Sequence, residues 1–190
     1  MSTYVPRVAP KSKRQIEEEA ASVLSSHFPE LLRSPGRLDV LEFWEILGDC
    51  YGLRPGVDDL SDGTEGMTWP DGRVLVNEDT YRRVVRGNGR ARFTMCHEAY
   101  HGLMHRDQIR SVLVDTGELA LFRRTELKPA VDPERQANVF AASILMPWPA
   151  MKMVLREAAG KPIEDVMYFF GVSMTAAAIR IREFKKRRDI

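Results

Sequence analysis

His97-Glu98-Ala99-Tyr100-His101 sets two imidazoles four residues apart, with a carboxylate beside the first. On an α-helix, positions i and i+4 share one face and stand about 6 Å apart along the axis. Two imidazoles so placed can hold one divalent metal ion, and the glutamate can reach a water beside it as a general base. A catalytic zinc usually takes three protein ligands and leaves one position for water. His97 and His101 supply two. His105 continues the i+4 series, but it stands about 12 Å from His97 along a straight helix. Bonds of about 2 Å cannot close that gap, so His105 is expected at the surface or behind the ligands.

The third ligand must come from another element, and Glu134 is the candidate. Asp132-Pro133-Glu134 reads as a helix start, with an N-cap followed by proline at the first helical position. The helix then runs to Leu145 and stops before Pro147. At 100° per residue its apolar arc holds Ala137, Phe140, Ala141, Ile144 and Leu145, and Glu134 projects from the middle of that arc. A carboxylate there is costly unless it is paired or bound to a metal. The other reading is that Glu134 merely complements the helix dipole in the first turn. Asn138 projects one turn further on and could orient a ligand.

These residues need a frame. The segment from Arg90 to about His105 reads as one helix. Phe93, Cys96, Ala99, Tyr100, Leu103 and Met104 form its core arc, and Thr94, His97, Glu98, His101 and His105 the next. Cys96 on the core arc reads as a packed cysteine rather than a redox sensor. Upstream, Arg14 to Leu32 and Asp39 to Tyr51 read as amphipathic helices, broken by Ser34-Pro35-Gly36 and Gly52. Residues 66–69 and 73–77 flank Pro70-Asp71-Gly72 and read as a hairpin, whose edge could take an extended peptide. Asn77 to Val85 reads as a helical turn. Residues 106–131 form a long connection with two short apolar runs, Val112–Val114 and Leu119–Phe122, a candidate lid or substrate-selecting loop. Beyond Pro149 the chain reads as three short helices, with Gly171-Val172-Ser173 as a helix-turn-helix corner.

The 190 residues fit one domain or one domain with an appendage. Hydrophobic content of 44% supports a core, and 29% charged residues with a net charge of +1 leave no strong global field. No apolar run approaches 18 residues, which excludes a membrane span. Residues 1–15 lack the apolar stretch of a secretory signal. Two cysteines make no disulfide framework, so a cytoplasmic setting is expected. The last helix carries Arg180, Arg182, Lys185, Lys186, Arg187 and Arg188, a charge pattern compatible with DNA contact. Met174 to Ala178, however, lacks the donors that read base edges. Packing or protein recognition is the favoured reading, and no DNA-binding residue is assigned.

Two ordered segments carry a family resemblance. Residues 92–105, RFTMCHEAYHGLMH, resemble the R-F-T-x-x-H-E-x-x-H segment of ImmA/IrrE-type metallopeptidases. Residues 134–147, ERQANVFAASILMP, resemble their E-x-x-A-N-x-F-A-A-x-x-L-M-P segment. Val74-Leu75-Val76-Asn77 and Phe170-Gly171-Val172-Ser173 are similar as well, so the resemblance covers roughly residues 38–185. One departure stands out: family members usually carry Leu-Gly where this chain has Ala99-Tyr100, a bulkier pair behind the metal helix.

The resemblance implies an α+β fold. Residues 1–148 would form a small zincin-like metallopeptidase domain with residues 1–12 as a flexible arm, and residues 149–190 a helix-turn-helix-like appendage. It implies His97, His101 and Glu134 as ligands of one Zn2+ per chain, with Mn2+ or another divalent ion as substitutes, and Glu98 as catalytic base. Asn138 and His105 would support the ligands. It also implies an endopeptidase that cleaves a cognate helix-turn-helix repressor and so derepresses genes of mobile elements or stress responses. The competing reading is a binding module that holds the repressor or DNA without cutting.

Overall fold

The computed structural model describes residues 8–60, 63–108, 110–111, 128–158 and 160–187. Helix α1 (Lys13–His27) begins in a capping box, in which the Ser12 and Gln15 side chains each bond the other's backbone. It is shorter than the expected run to Leu32. Pro29 restricts Phe28 away from helical geometry, and Pro29–Leu32 form a 3-10 turn instead. Helix α2 (Val40–Tyr51) starts at Asp39 and buries Phe43, Trp44 and Leu47.

The expected hairpin is present as β2 (Gly66–Thr68) and β3 (Arg73–Val76), paired antiparallel with Thr68 opposite Val74. A third strand, β1 (Arg54–Val57), joins β3 in parallel. Its Pro55 and Gly56 hide it from a strand pattern, and its place at the edge of the order β1-β3-β2 is where proline is tolerated. Val74 and Val76 on the central strand are fully buried. Asn77 then caps a full helix, α3 (Glu78–Val85), where only a turn was expected.

Helix α4 (Gly89–Tyr100) carries the histidine motif and passes into a π-turn over His101–His105, so the expected regular helix widens at its end. A Cβ on Gly102 would lie 2.6 Å from Val74 Cγ2 and 2.9 Å from Leu53 Cδ1, so glycine lets this turn rest directly on the sheet. Buried Arg92 ties α4 down elsewhere, donating to Gly171 O at 3.0 Å and Leu38 O at 2.9 Å. The strand expectations at 112–114 and 119–122, and most of the candidate lid, lie outside the described residues.

Asp132 caps α5 (Pro133–Leu145), and α6 (Trp148–Glu157), α7 (Pro162–Phe170) and α8 (Met174–Lys186) follow. Helix α5 packs between α1 and α4. One hydrophobic cluster joins Ile16 and Leu24 of α1, Met95 and Tyr100 of α4 and Phe140 and Ile144 of α5 to Val154, Phe170 and Ile181 of the last three helices. The architecture is α+β: among the described residues, helices surround one small three-stranded sheet. Among the described residues no single helix is long and apolar enough to cross a membrane.

One expectation needs correction. Residues 8–12 are not a loose arm: Val8 is buried, Lys11 N–H donates to Ala130 O at 2.9 Å, and Lys11 Nζ pairs with Glu19. On the last helix, packing takes up part of the basic run. Arg180 is 1% exposed, stacks on the Trp148 ring at 3.9 Å and donates to Met146 O at 3.0 Å. Arg187 bonds Glu17 at 3.1 Å and also lies over Trp148. The apolar indole and the buried carbonyl draw these cations inward, while Arg182, Lys185 and Lys186 stay exposed.

Candidate metal centre

His97 and His101 lie on the last turn of α4 and the start of the π-turn, and Glu134 on the first turn of α5. Packing of α4 against α5 brings them together. One donor atom from each falls within 4.8 Å of the others. His97 Nε2 and His101 Nε2 are 3.0 Å apart. Glu134 Oε2 is 3.5 Å from His97 Nε2, and Oε1 is 3.2 Å from His101 Nε2. A tetrahedral ion with bonds of about 2.0–2.2 Å spaces its ligands about 3.3–3.6 Å apart. The three donors therefore converge at nearly the spacing one ion needs.

The orientation of the rings strengthens the fit. Asn138 Oδ1 sits 3.1 Å from His97 Nδ1, which must donate to it, leaving the Nε2 lone pair directed at His101 and Glu134. Burial works against charge on His97, but its bond to Glu134 and the charges of Glu98 and Glu134 outweigh this and raise its pKa. Burial also opposes ionisation of Glu134, yet bonds from His101 and His97 win and hold its carboxyl well below the usual range. The pocket draws positive charge inward, which is what a cation site requires.

Glu98 faces the edge strand. Thr68 Oγ1 lies 3.1 Å from Glu98 O and 3.2 Å from Glu98 Oε2. A Cβ on Gly66 would stand 2.6 Å from Glu98 Cγ, so β2 can cross this side chain only with glycine there. Glu65 beside it takes bonds from Arg83 at 2.8 Å and Thr94 at 3.3 Å, fastening β2 to α3 and α4.

Behind the site, His105 makes no approach to the three donors as a fourth. Its Nδ1 is 3.0 Å from His101 Nδ1, and its Nε2 is 3.1 Å from Gln136 Oε1. Burial and the neighbouring His101 push His105 down to about 3. Tyr100, the departure from the family pattern, stacks on Phe140 at 4.7 Å and donates to Glu19 at 2.8 Å. Its bulk is housed between α5 and α1, away from the donors. Cys96 is fully buried, and burial pushes its thiol up to about 12, in keeping with a packed core residue.

Thr68, Gly66 and Gln136 were not singled out from sequence. Gln136 had a signal: with Pro133, Ala137 and Phe140 it falls at helical spacing on the buried face of α5, a polar residue among apolar ones. A polar side chain there is costly unless paired, as for Glu134. Thr68 and Gly66 had none, because strand-to-helix proximity is not written in local spacing.

The family model for the IrrE N-terminal-like domain, a peptidase family, matches residues 86–182, just over half the chain. This chain belongs to that family. The matched IrrE-like stretch contains both halves of the donor cluster, the α4 histidines and the α5 glutamate. No curated protein matches the sequence. A solved structure of a Mycobacterium tuberculosis transcriptional regulator superposes with a TM-score of 0.56 at 18% identity, over 88% of this chain. The likeness is one of fold. The IrrE-like chain spans 55% of that protein's length.

Proposed function

We propose that this chain is a cytoplasmic zinc-dependent endopeptidase whose substrate is a cognate helix-turn-helix transcriptional repressor. The observation that carries the hydrolytic reading is the convergence of His97 Nε2, His101 Nε2 and a Glu134 oxygen within 4.8 Å, with Glu98 on the same helix. Membership of a peptidase family supports it. The repressor as substrate rests on the resemblance of the two motif segments to ImmA/IrrE-type proteins. In this reading residues 1–148 hold the catalytic machinery. Residues 149–190 would be the appendage, whose described helices pack on the rest through Val154, Phe170 and Ile181.

His97, His101 and Glu134 would hold the ion, and Mn2+ or another divalent ion could substitute. A divalent ion there would supply Lewis-acid polarisation of the scissile carbonyl and an acidified water. The Glu98 carboxylate takes the proton of the attacking water and delivers it to the leaving amine. Thr68 holds that carboxylate against β2. Among the described residues β2 is an edge strand, along which an extended peptide can add.

The test uses purified protein and the repressor encoded beside it. Chelator-sensitive fragments are expected with the unsubstituted protein. Glu98→Gln is expected to keep about one zinc per chain and lose cleavage. A stable, uncut complex with zinc-loaded protein would favour the binding module, and cleavage retained by Glu98→Gln would rule out the mechanism.

A further inference from the structure

The donor cluster needs His101 to present Nε2 without a proton, and the ring cannot do this unless Nδ1 carries one. We propose that Gln136, acting through His105, holds His101 in that tautomer, so that both are positioning residues for the metal. The proposal rests on His97, His101 and Glu134 being the ligands.

Gln136 is completely buried, and its Nε2 donates to Ala9 O at 2.9 Å and to Ala130 O at 2.7 Å. Both amide hydrogens are spent on those carbonyls. Turning the amide over would point its oxygen at two other oxygens, so the orientation is fixed. Only Oε1 is left for His105, 3.1 Å away, and His105 Nε2 must donate to it. A neutral His105 then has a bare Nδ1. That nitrogen faces His101 Nδ1 at 3.0 Å and can only accept. His101 Nδ1 therefore carries the proton, and Nε2 offers its lone pair toward Glu134.

The two ligand histidines are thus set by different means. Asn138 acts on His97 directly, from one turn beyond Glu134. His101 is 2% exposed, and the π-turn lays His105 behind it. The relay ends on Ala9, so the segment preceding α1 completes the metal site's support. Both amides stand on α5, the helix that carries Glu134. A single rigid element thereby supplies one ligand and orients the other two.

Residues that orient metal ligands typically change affinity by roughly tenfold to a hundredfold when removed. Gln136→Met keeps the size of the side chain and deletes the acceptor and both donors. It is expected to weaken zinc binding, read by chelator competition, by roughly that factor. His105→Phe keeps a ring in the same place and removes both nitrogens, and is expected to weaken zinc binding by a similar factor. A third measurement needs no substitution: nitrogen-15 shifts of His105 in zinc-loaded protein should show the Nε2–H tautomer. A His105 Nδ1–H tautomer overturns the relay, whatever the variants do. So does unchanged zinc affinity in Gln136→Met alongside loss of zinc in His97→Ala. Zinc binding untouched by His97→Ala overturns the ligand assignment itself.

Discussion

Thr68 on the edge strand meets Glu98 on the metal helix through one hydroxyl, which lies 3.1 Å from the glutamate carbonyl and 3.2 Å from its Oε2. Thr68 is nearly buried, so water is a poor substitute for its hydroxyl. A bond to a charged group contributes about 1.5–3 kcal/mol. Thr68→Val preserves the shape of the side chain and removes that bond. It is expected to lower kcat for repressor cleavage by about tenfold or more, with zinc stoichiometry unchanged. Equal kcat in the variant would show that Glu98 is oriented by other contacts.

Removing the metal should loosen the protein as well as silence it. Without an ion, two imidazole nitrogens and a carboxylate crowd one another at 3.0–3.5 Å on two helices that must otherwise pack together. A ligand present at a thousand times its Kd stabilises by about 4 kcal/mol. For a chain of this length that corresponds to a Tm shift on the order of 10 °C. Calorimetry before and after chelation is expected to show this drop, restored by added zinc. An identical Tm in both states would count against the assignment of these ligands.

Arg180 should matter to folding rather than to any nucleic acid. Its guanidinium is buried on Trp148, bonds Met146 O and Ser143 Oγ, and lies 3.6 Å from Glu17. Breaking a buried pair by removing one partner costs about 3–5 kcal/mol. Arg180→Ala is therefore expected to lower Tm by roughly 6–20 °C. Exposed Arg182→Ala is expected to shift it little, by thermal melts of the two variants side by side.

Glu65 links stability to acid. Burial raises its pKa, but the bond from Arg83 and the charges of Arg90 and Arg83 outweigh burial and lower it. A carboxylate with a depressed folded pKa contributes stability above its ordinary value of 4.5 and loses it as pH falls through the folded value. Glu65→Gln should therefore be less stable than the unsubstituted protein at pH 7, and the gap should close as pH falls below 4.5. Melting both proteins across that range checks it, and a constant gap would mean that the ion pair contributes nothing.

The candidate ligand histidines, the candidate base and the helices that carry them are local matters. Spacing of four residues puts His97 and His101 on one face wherever a helix forms there. Asp132-Pro133 starts α5 by its own capping chemistry, and the apolar arc of that helix sets Glu134 toward the core. The hairpin is equally local, since Pro70-Asp71-Gly72 closes it within four residues. Strand β1 escaped this logic. It exists only because β3 offers it a parallel partner, and its own Pro55 and Gly56 argue against a strand.

Most of what orients the site is non-local. Thr68 and Glu98 are 30 residues apart, His105 and Gln136 are 31, and Gln136 reaches back 127 residues to Ala9. Such pairs have no periodicity, because a hydrogen bond across helices depends on how two surfaces pack and not on how either is spaced. Sequence alone thus determined which atoms can bind a metal and which helices present them. Only the packing of α1, α4 and α5, and the widening of α4 into a π-turn, decided how those atoms are aimed and which protons they carry.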